Sequence, residues 1–179
     1  MILSVPEQKK FYKLYYAAVD YMNLQEKILP GVKMNPQYCS YPDAIVLSQA
    51  FRKHPEHMAT MPYLSKRKLT DEDKTILFSW TRIIPGKFYV VDHTPIGSFF
   101  VSEDEQRVYL VLGLRKPLEY LLGDELPVKV STCLMPFHQK IITDGFFDYC
   151  EEPITEKQKV QLMKIYADAV KRGTVISVI

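Results

Sequence analysis

Glycine is scarce in this chain, seven in 179 residues, and none cluster as G-x-G-x-x-G or G-x-x-x-x-G-K. The backbone loops that cradle phosphate groups are therefore not written here. Cysteine is limited to Cys39, Cys133 and Cys150, an odd number at wide spacing. That suits reduced thiols in a cytosol and gives no disulfide framework. No run approaches the ~20 consecutive apolar residues that span a bilayer. "MILSVPEQKK" places its charges after a very short apolar stretch, the reverse of a secretory leader. Neither charge sign dominates: 23 Lys and Arg stand against 21 Asp and Glu, for a net +2. A broad basic field for nucleic acid and a polybasic membrane anchor are thereby excluded, and the expected setting is cytoplasmic.

What is present is core-forming material. Apolar residues make up 47% of the chain and aromatics 12%, enough for one well-packed domain. The first half reads as helical. Ser4 with Glu7 forms a capping-box pattern, and Phe11, Leu14, Tyr15, Ala18, Met22 and Leu29 then follow helical spacing until "LPGV" stops it. A loop with Pro36 and Pro42 leads to a second helix from about Asp43, with Ala44, Leu47 and Phe51 inward, ending before Pro55. Residues 56–69 suggest a short helical turn broken at Pro62. Thr70 and Asp73 cap a third helix, whose buried side is Ile76, Leu77, Trp80, Ile83 and Ile84 and whose terminator is Pro85-Gly86.

The pattern then changes. "KFYVVD", "GSFFVS", "RVYLVLGL", "LPVKVSTCL" and "FHQKII" are short, β-branched and aromatic, and separated by turn signals. "SEDEQ" reads as a hairpin loop of more than two residues. One helical turn is expected between Pro117 and Gly123. Thr155 with Gln158 caps a last helix with Leu162, Ile165, Tyr166 and Ala169 on one face, ended by Gly173, and "TVISVI" follows as a candidate closing strand. The fold class is α+β: one domain over 1–179, helical over 1–84, β-rich over 87–148, with a C-terminal helix over 154–172. The sheet is expected to be a curled antiparallel sheet or a small barrel. In the strand at 107–114, Val108, Leu110, Leu112 and Leu114 point one way and Tyr109, Val111 and Gly113 the other, so neither face suits water. The strand at Val128–Leu134 instead alternates, with Lys129, Ser131 and Cys133 expected on a half-exposed side.

A search for chemistry gives little. "HPEH" places His54 and His57 three apart, but zinc needs further ligands, and no His or Cys pair elsewhere supplies them at a recognised spacing. Cys133, His138 and Cys150 match no zinc pattern either. The expectation is no metal and no cofactor. Ser98 in "IGSFF" lacks the second glycine of a nucleophile elbow. Cys133 with His138 has the residue types of a thiol and base, but a free cysteine in a strand more often packs. Tyr89, Phe99 and Tyr109 are aromatic candidates for stacking on single-stranded nucleic acid, and "LSKRKLT" supplies a local basic loop through Lys66, Arg67 and Lys68.

The Trp80 helix leads into Gly86-Lys87-Phe88. Val108-Tyr109 and Gly113-Leu114 follow, then Leu134-Met135-Pro136-Phe137 ahead of Lys140-Ile141-Ile142 and Asp144-Gly145. In this order the segment at residues 70–147 resembles part of a family of uncharacterised bacterial proteins, chiefly from Firmicutes. Some members also carry a zinc motif like that at the SecA C-terminus, and this chain lacks that cysteine-rich motif. The resemblance implies a shared fold. It brings no activity and no catalytic residue.

The reading that results is a non-catalytic binding or interaction module with a protein partner and no membrane. A second reading is nucleic-acid association through Lys66, Arg67, Lys68 and the barrel rim. A third is a small-molecule sensor or enzyme with a cavity inside the curled sheet, bordered by His93 or His138.

Overall fold

The computed structural model describes residues 1–35, 37–64 and 68–179. Along the chain run α1 (Val5–Glu26), α2 (Tyr41–Lys53), α3 (His57–Leu64), α4 (Asp71–Ser79), β1 (Ile84–Thr94), β2 (Gly97–Ser102), β3 (Val108–Leu112), α5 (Glu119–Leu122), β4 (Val128–Phe137), β5 (Lys140–Thr143), β6 (Asp148–Tyr149) and α6 (Glu156–Arg172). N-terminal helices, a central sheet and a C-terminal helix make the class α+β. The chain gathers into two compact units. One comprises Met1–Leu3, Ile84–Met135 and Gln139–Ile179, the other Ser4–Ile83 and Pro136–His138. No helix among the described residues is long and apolar enough to cross a membrane.

In the helical unit the caps follow the sequence. Glu7 accepts hydrogen bonds from the Ser4 amide and hydroxyl, and the Ser40 and Thr70 hydroxyls each accept the amide three residues on. Trp80 is fully buried, edge-on to Phe11, Tyr15 and Phe51, and its indole N–H donates to the Pro136 carbonyl at 2.9 Å. A buried indole needs such a partner, and an aromatic cluster then fixes its geometry. α1 ends at Glu26, short of Leu29, because Lys27 takes a left-handed conformation. Asn23, buried on the last turn, then holds the following loop. Its amide group donates to the Leu29 and Val32 carbonyls and its oxygen accepts from the Leu29 amide, while Asp20 accepts the Met34 amide at 2.6 Å.

The other unit is a six-stranded sheet in the order β1-β2-β3-β5-β4-β6. β1 also pairs with β4, so five strands close a ring and β6 is appended. β3 and β5 run parallel, whereas β1–β2, β2–β3 and β1–β4 are antiparallel. The ring is lined by side chains from all five strands. Val90 lies opposite Phe100, Phe100 opposite Tyr109, and Phe88 opposite Val130, joined by Val111, Leu134 and Ile141. Leu118 and Leu122, from around α5, join the same cluster. The reverse face of β1, β2 and β3 carries Tyr89, Val91, Phe99, Val101 and Val108, packed with Leu162 and Ala169 of α6. The ribbon is thus buried front and back, as its two apolar faces require. A bulge at Val91–Asp92 shifts the register of β1, and Asp92 accepts the Tyr166 hydroxyl of α6 at 2.6 Å.

Four expectations are corrected. Pro62 does not break α3, which runs through it from His57 to Leu64. Pro85-Gly86 does not end a helix. α4 stops at Ser79, a 3-10 turn covers Trp80–Arg82, and Pro85 and Gly86 lie inside β1 opposite Cys133 and Thr132. Among the described residues, 84–87 have strand partners in β4 and none in β2, an edge position where proline's missing N–H breaks no ladder. The second face of β4 is more buried than expected: Cys133 is fully buried and Lys129 is 7% exposed, while Ser131 alone of the three is half-buried. "TVISVI" forms no strand of its own. Ile176 makes one parallel bridge with Tyr109, its N–H donating to the Val108 carbonyl. At the opposite end of β3, Ile2 bridges Gly113, where a β-carbon would lie 2.0 Å from the Lys116 carbonyl oxygen. Only glycine fits such an approach.

Candidate functional site

The residues singled out from the sequence do not converge. Lys68 is exposed, and Lys66 and Arg67 lie outside the described residues. His93 and His138 belong to different units. His93 is held at both nitrogens. A carbonyl oxygen can only accept, so Nε2–H donates to Gly123 at 3.2 Å and Nδ1 accepts the Ser98 hydroxyl at 2.7 Å. This ties a histidine near the end of β1 to β2 and to the cap of α5. His138 has a left-handed backbone (φ 55°), lies edge-on to Phe137 and stands 3.7 Å from Glu72. The Cys133 thiol is fully buried. Tyr89, Phe99 and Tyr109, the stacking candidates, are at most 6% exposed. Among the described residues, no buried side-chain nitrogen or oxygen lacks a hydrogen-bond partner.

One charged group in the sheet unit is unusual. The Lys129 ammonium sits 2.8 Å from Glu152, 3.0 Å from Glu103 and 5.4 Å above the Tyr89 ring. Glu152, then Glu103, hold its proton more tightly than an ordinary lysine would. Lys129 in turn holds the Glu152 carboxyl below the usual carboxylate range. The cation is nearly enclosed while both acids are exposed, an arrangement that fastens the β2–β3 loop and the segment after β6 to β4.

The open space lies elsewhere. In the helical unit a groove of about 870 Å³ runs along the end of α1, bounded by Ala17, Tyr21, Leu24, Pro30, Val32 and Leu64. Leu24 is 72% exposed and Leu64 68%. Its charged lining residues are Asp20, Lys27 and Lys33. Asp20 is engaged by the Met34 amide, and the two lysines stand exposed. The Asn23 and Asp20 bonds described above fix the loop that forms one wall. A smaller cleft of about 420 Å³ borders the β2–β3 loop between Lys87, Glu103, Asp104 and Arg107.

Beside that groove, three side chains meet that the sequence left apart. His57 at the start of α3 donates through Nε2 to the Glu26 carboxylate at 2.6 Å. His54, the C-cap of α2, donates through Nδ1 to Glu56 at 3.1 Å. The ligand atoms of Glu26, His54 and His57 all lie within 4.8 Å of one another. The Tyr21 ring, which lines the groove, packs edge-on to His57 at 6.2 Å. Glu56 has a lowered pKa, first through its own backbone amide and also through His54. A search for histidine or cysteine at fixed spacing passes over Glu26, because the third group is a carboxylate from another helix. The only local signal is an acid ending a helix that has no basic residue in its last turn.

No known family, curated protein or solved structure matches this chain.

Proposed function

We propose that the chain is a cytoplasmic, non-catalytic binding module that takes an extended protein segment, apolar with acidic flanks, in the groove along the end of α1. The observation that carries this is the groove itself. It is large enough for several side chains, walled by apolar residues and stiffened by Asn23. Its charged lining residues are Lys27 and Lys33, both facing solvent, and Asp20, which keeps its negative charge while accepting the Met34 amide, so positive charge is in slight excess. Complementarity therefore favours an acidic partner.

The sheet supports this reading by being full. Its ring is packed with Phe88, Phe100, Tyr109 and their neighbours, which speaks for a scaffold and against a small-molecule chamber. Five-stranded barrels of the OB type take oligonucleotides on the face of their second and third strands. Here α6 occupies the outer face of β2 and β3. That favours a protein partner over nucleic acid.

Selection from a random peptide library displayed on phage tests the proposal. Enriched peptides should combine leucine, isoleucine or phenylalanine with flanking Asp or Glu. Binding should be lost in Leu24→Asp and in the Lys27→Glu/Lys33→Glu pair, both on the surface, and kept in Lys129→Met. Enrichment of basic peptides, or binding that survives Leu24→Asp, contradicts it. Retention on single-stranded DNA that falls steeply with salt would favour the nucleic-acid reading instead.

A further inference from the structure

We propose that Glu26, His54 and His57 bind one divalent transition-metal ion of the zinc class, with Glu56 orienting His54. Two imidazoles and a carboxylate form a donor set that suits zinc and its neighbours, whereas calcium and magnesium prefer all-oxygen sites. In a tetrahedral site with bonds of about 2.0–2.1 Å, neighbouring ligand atoms stand roughly 3.3 Å apart. The hydrogen bond between His57 and Glu26 is shorter than this at 2.6 Å, and the widest separation in the trio is no more than 4.8 Å. The three ligand atoms thus gather in one small volume. The N–H that His57 donates to Glu26 occupies the place that the ion takes, so ion binding replaces this hydrogen bond.

The surroundings support the assignment independently of the groove. Glu56 accepts from Nδ1 of His54, which leaves Nε2 as the nitrogen able to ligate an ion; a carboxylate behind a ligating histidine is the usual outer partner in such sites. Glu26 ends α1 and His54 caps the end of α2, so two helix C-termini, each with a partial negative charge, lie at the cluster. Basic residues stand near both ends: Lys27 is the C-cap of α1, and Arg52 and Lys53 lie in the last turn of α2. Glu26 and His54 are each a third exposed and His57 a fifth, which leaves the fourth position open to solvent. The bound ion joins the end of α1 to the turn between α2 and α3, next to Leu24, Gln25 and Lys27 of the groove wall.

The test uses the full chain, stripped with a chelator and titrated with zinc in competition with a chromophoric chelator, and separately with cobalt(II). The expected result is one equivalent bound, with visible cobalt bands of a low-coordinate site. No near-ultraviolet sulfur-to-cobalt band should accompany them, since Cys39, Cys133 and Cys150 take no part. His57→Ala and Glu26→Gln should each abolish stoichiometric binding, and Glu56→Gln should weaken it about 10–100-fold. Circular dichroism of each metal-free variant should match the parent, and Glu26→Gln, a near-isosteric surface change, keeps the test valid should His57→Ala unfold. Absence of saturable binding by the parent, binding that survives Glu26→Gln, or a sulfur-to-cobalt band would overturn the proposal.

Discussion

At the scale of single residues, Lys129 shows how burial and charge share control of this fold. Its ammonium is nearly enclosed, whereas Glu103 and Glu152 remain half or more exposed. Removing the acids leaves a buried cation without partners; replacing the lysine leaves only two solvated carboxylates. Glu103→Gln and Glu152→Gln should therefore each be mild, because one acid remains. The double variant should unfold at clearly lower denaturant than the sum of the singles, and Lys129→Met should stay close to the parent. The pH dependence has a definite sign. Glu152 has a folded pKa below its ordinary 4.5, so its stabilisation is present above that value and is lost as pH falls through the lowered one. Lys129 is shifted upward from 10.5, so its share is complete below 10.5 and is lost as pH rises beyond it. Denaturant melts should show the excess cost of the double variant between these limits and its shrinkage below about 4.5.

At the scale of elements, α6 is the cover that makes a two-sided apolar ribbon possible. Its Leu162 and Ala169 close over β1, β2 and β3, and the Tyr166 hydroxyl reaches Asp92 at the bulge. Burial first, and Asp92 second, push the Tyr166 pKa up to about 12. The contribution of this bond is thus complete below the ordinary tyrosine value of 10 and is lost between there and about 12. Tyrosinate absorbance of the parent minus that of Tyr166→Phe should titrate late, near 12, and the variant should lose about 1 kcal/mol at neutral pH. A difference curve centred on the ordinary value would show that α6 does not seat this hydroxyl. These elements were legible where the chemistry is local. The Ser4–Glu7, Thr70–Asp73 and Thr155–Gln158 boxes place the starts of α1, α4 and α6, and β2 falls on Gly97–Ser102 as its turn signals indicate. What the sequence hid depends on distant partners. Pro85-Gly86 looks like a stop until β4 pairs with it, and Lys129 looks exposed until two acids from separate loops enclose it. Likewise "HPEH" was legible as a pair, while Glu26 joins it only through the packing of α1 beside the α2–α3 turn.

At the scale of the whole molecule, the two units differ in where their apolar residues lie. The sheet unit spends its apolar residues on its own interior, from Val90 and Val111 inside the ring to Val101 and Val108 beneath α6. The helical unit buries Trp80 and its aromatic neighbours but leaves Leu24 and Leu64 in solvent along a stiffened groove. The central claim is that a guest finds space in the second unit and none inside the ring of the first. Methyl-resolved NMR of the labelled full chain, screened against fragment-sized aliphatic and aromatic acids, tests this most directly. The account predicts saturable shifts at Ala17, Leu24, Val32 and Leu64, with the methyls of Val90, Val111, Val130 and Ile141 unmoved. Saturable shifts centred on those four ring residues, with the groove silent, would contradict it.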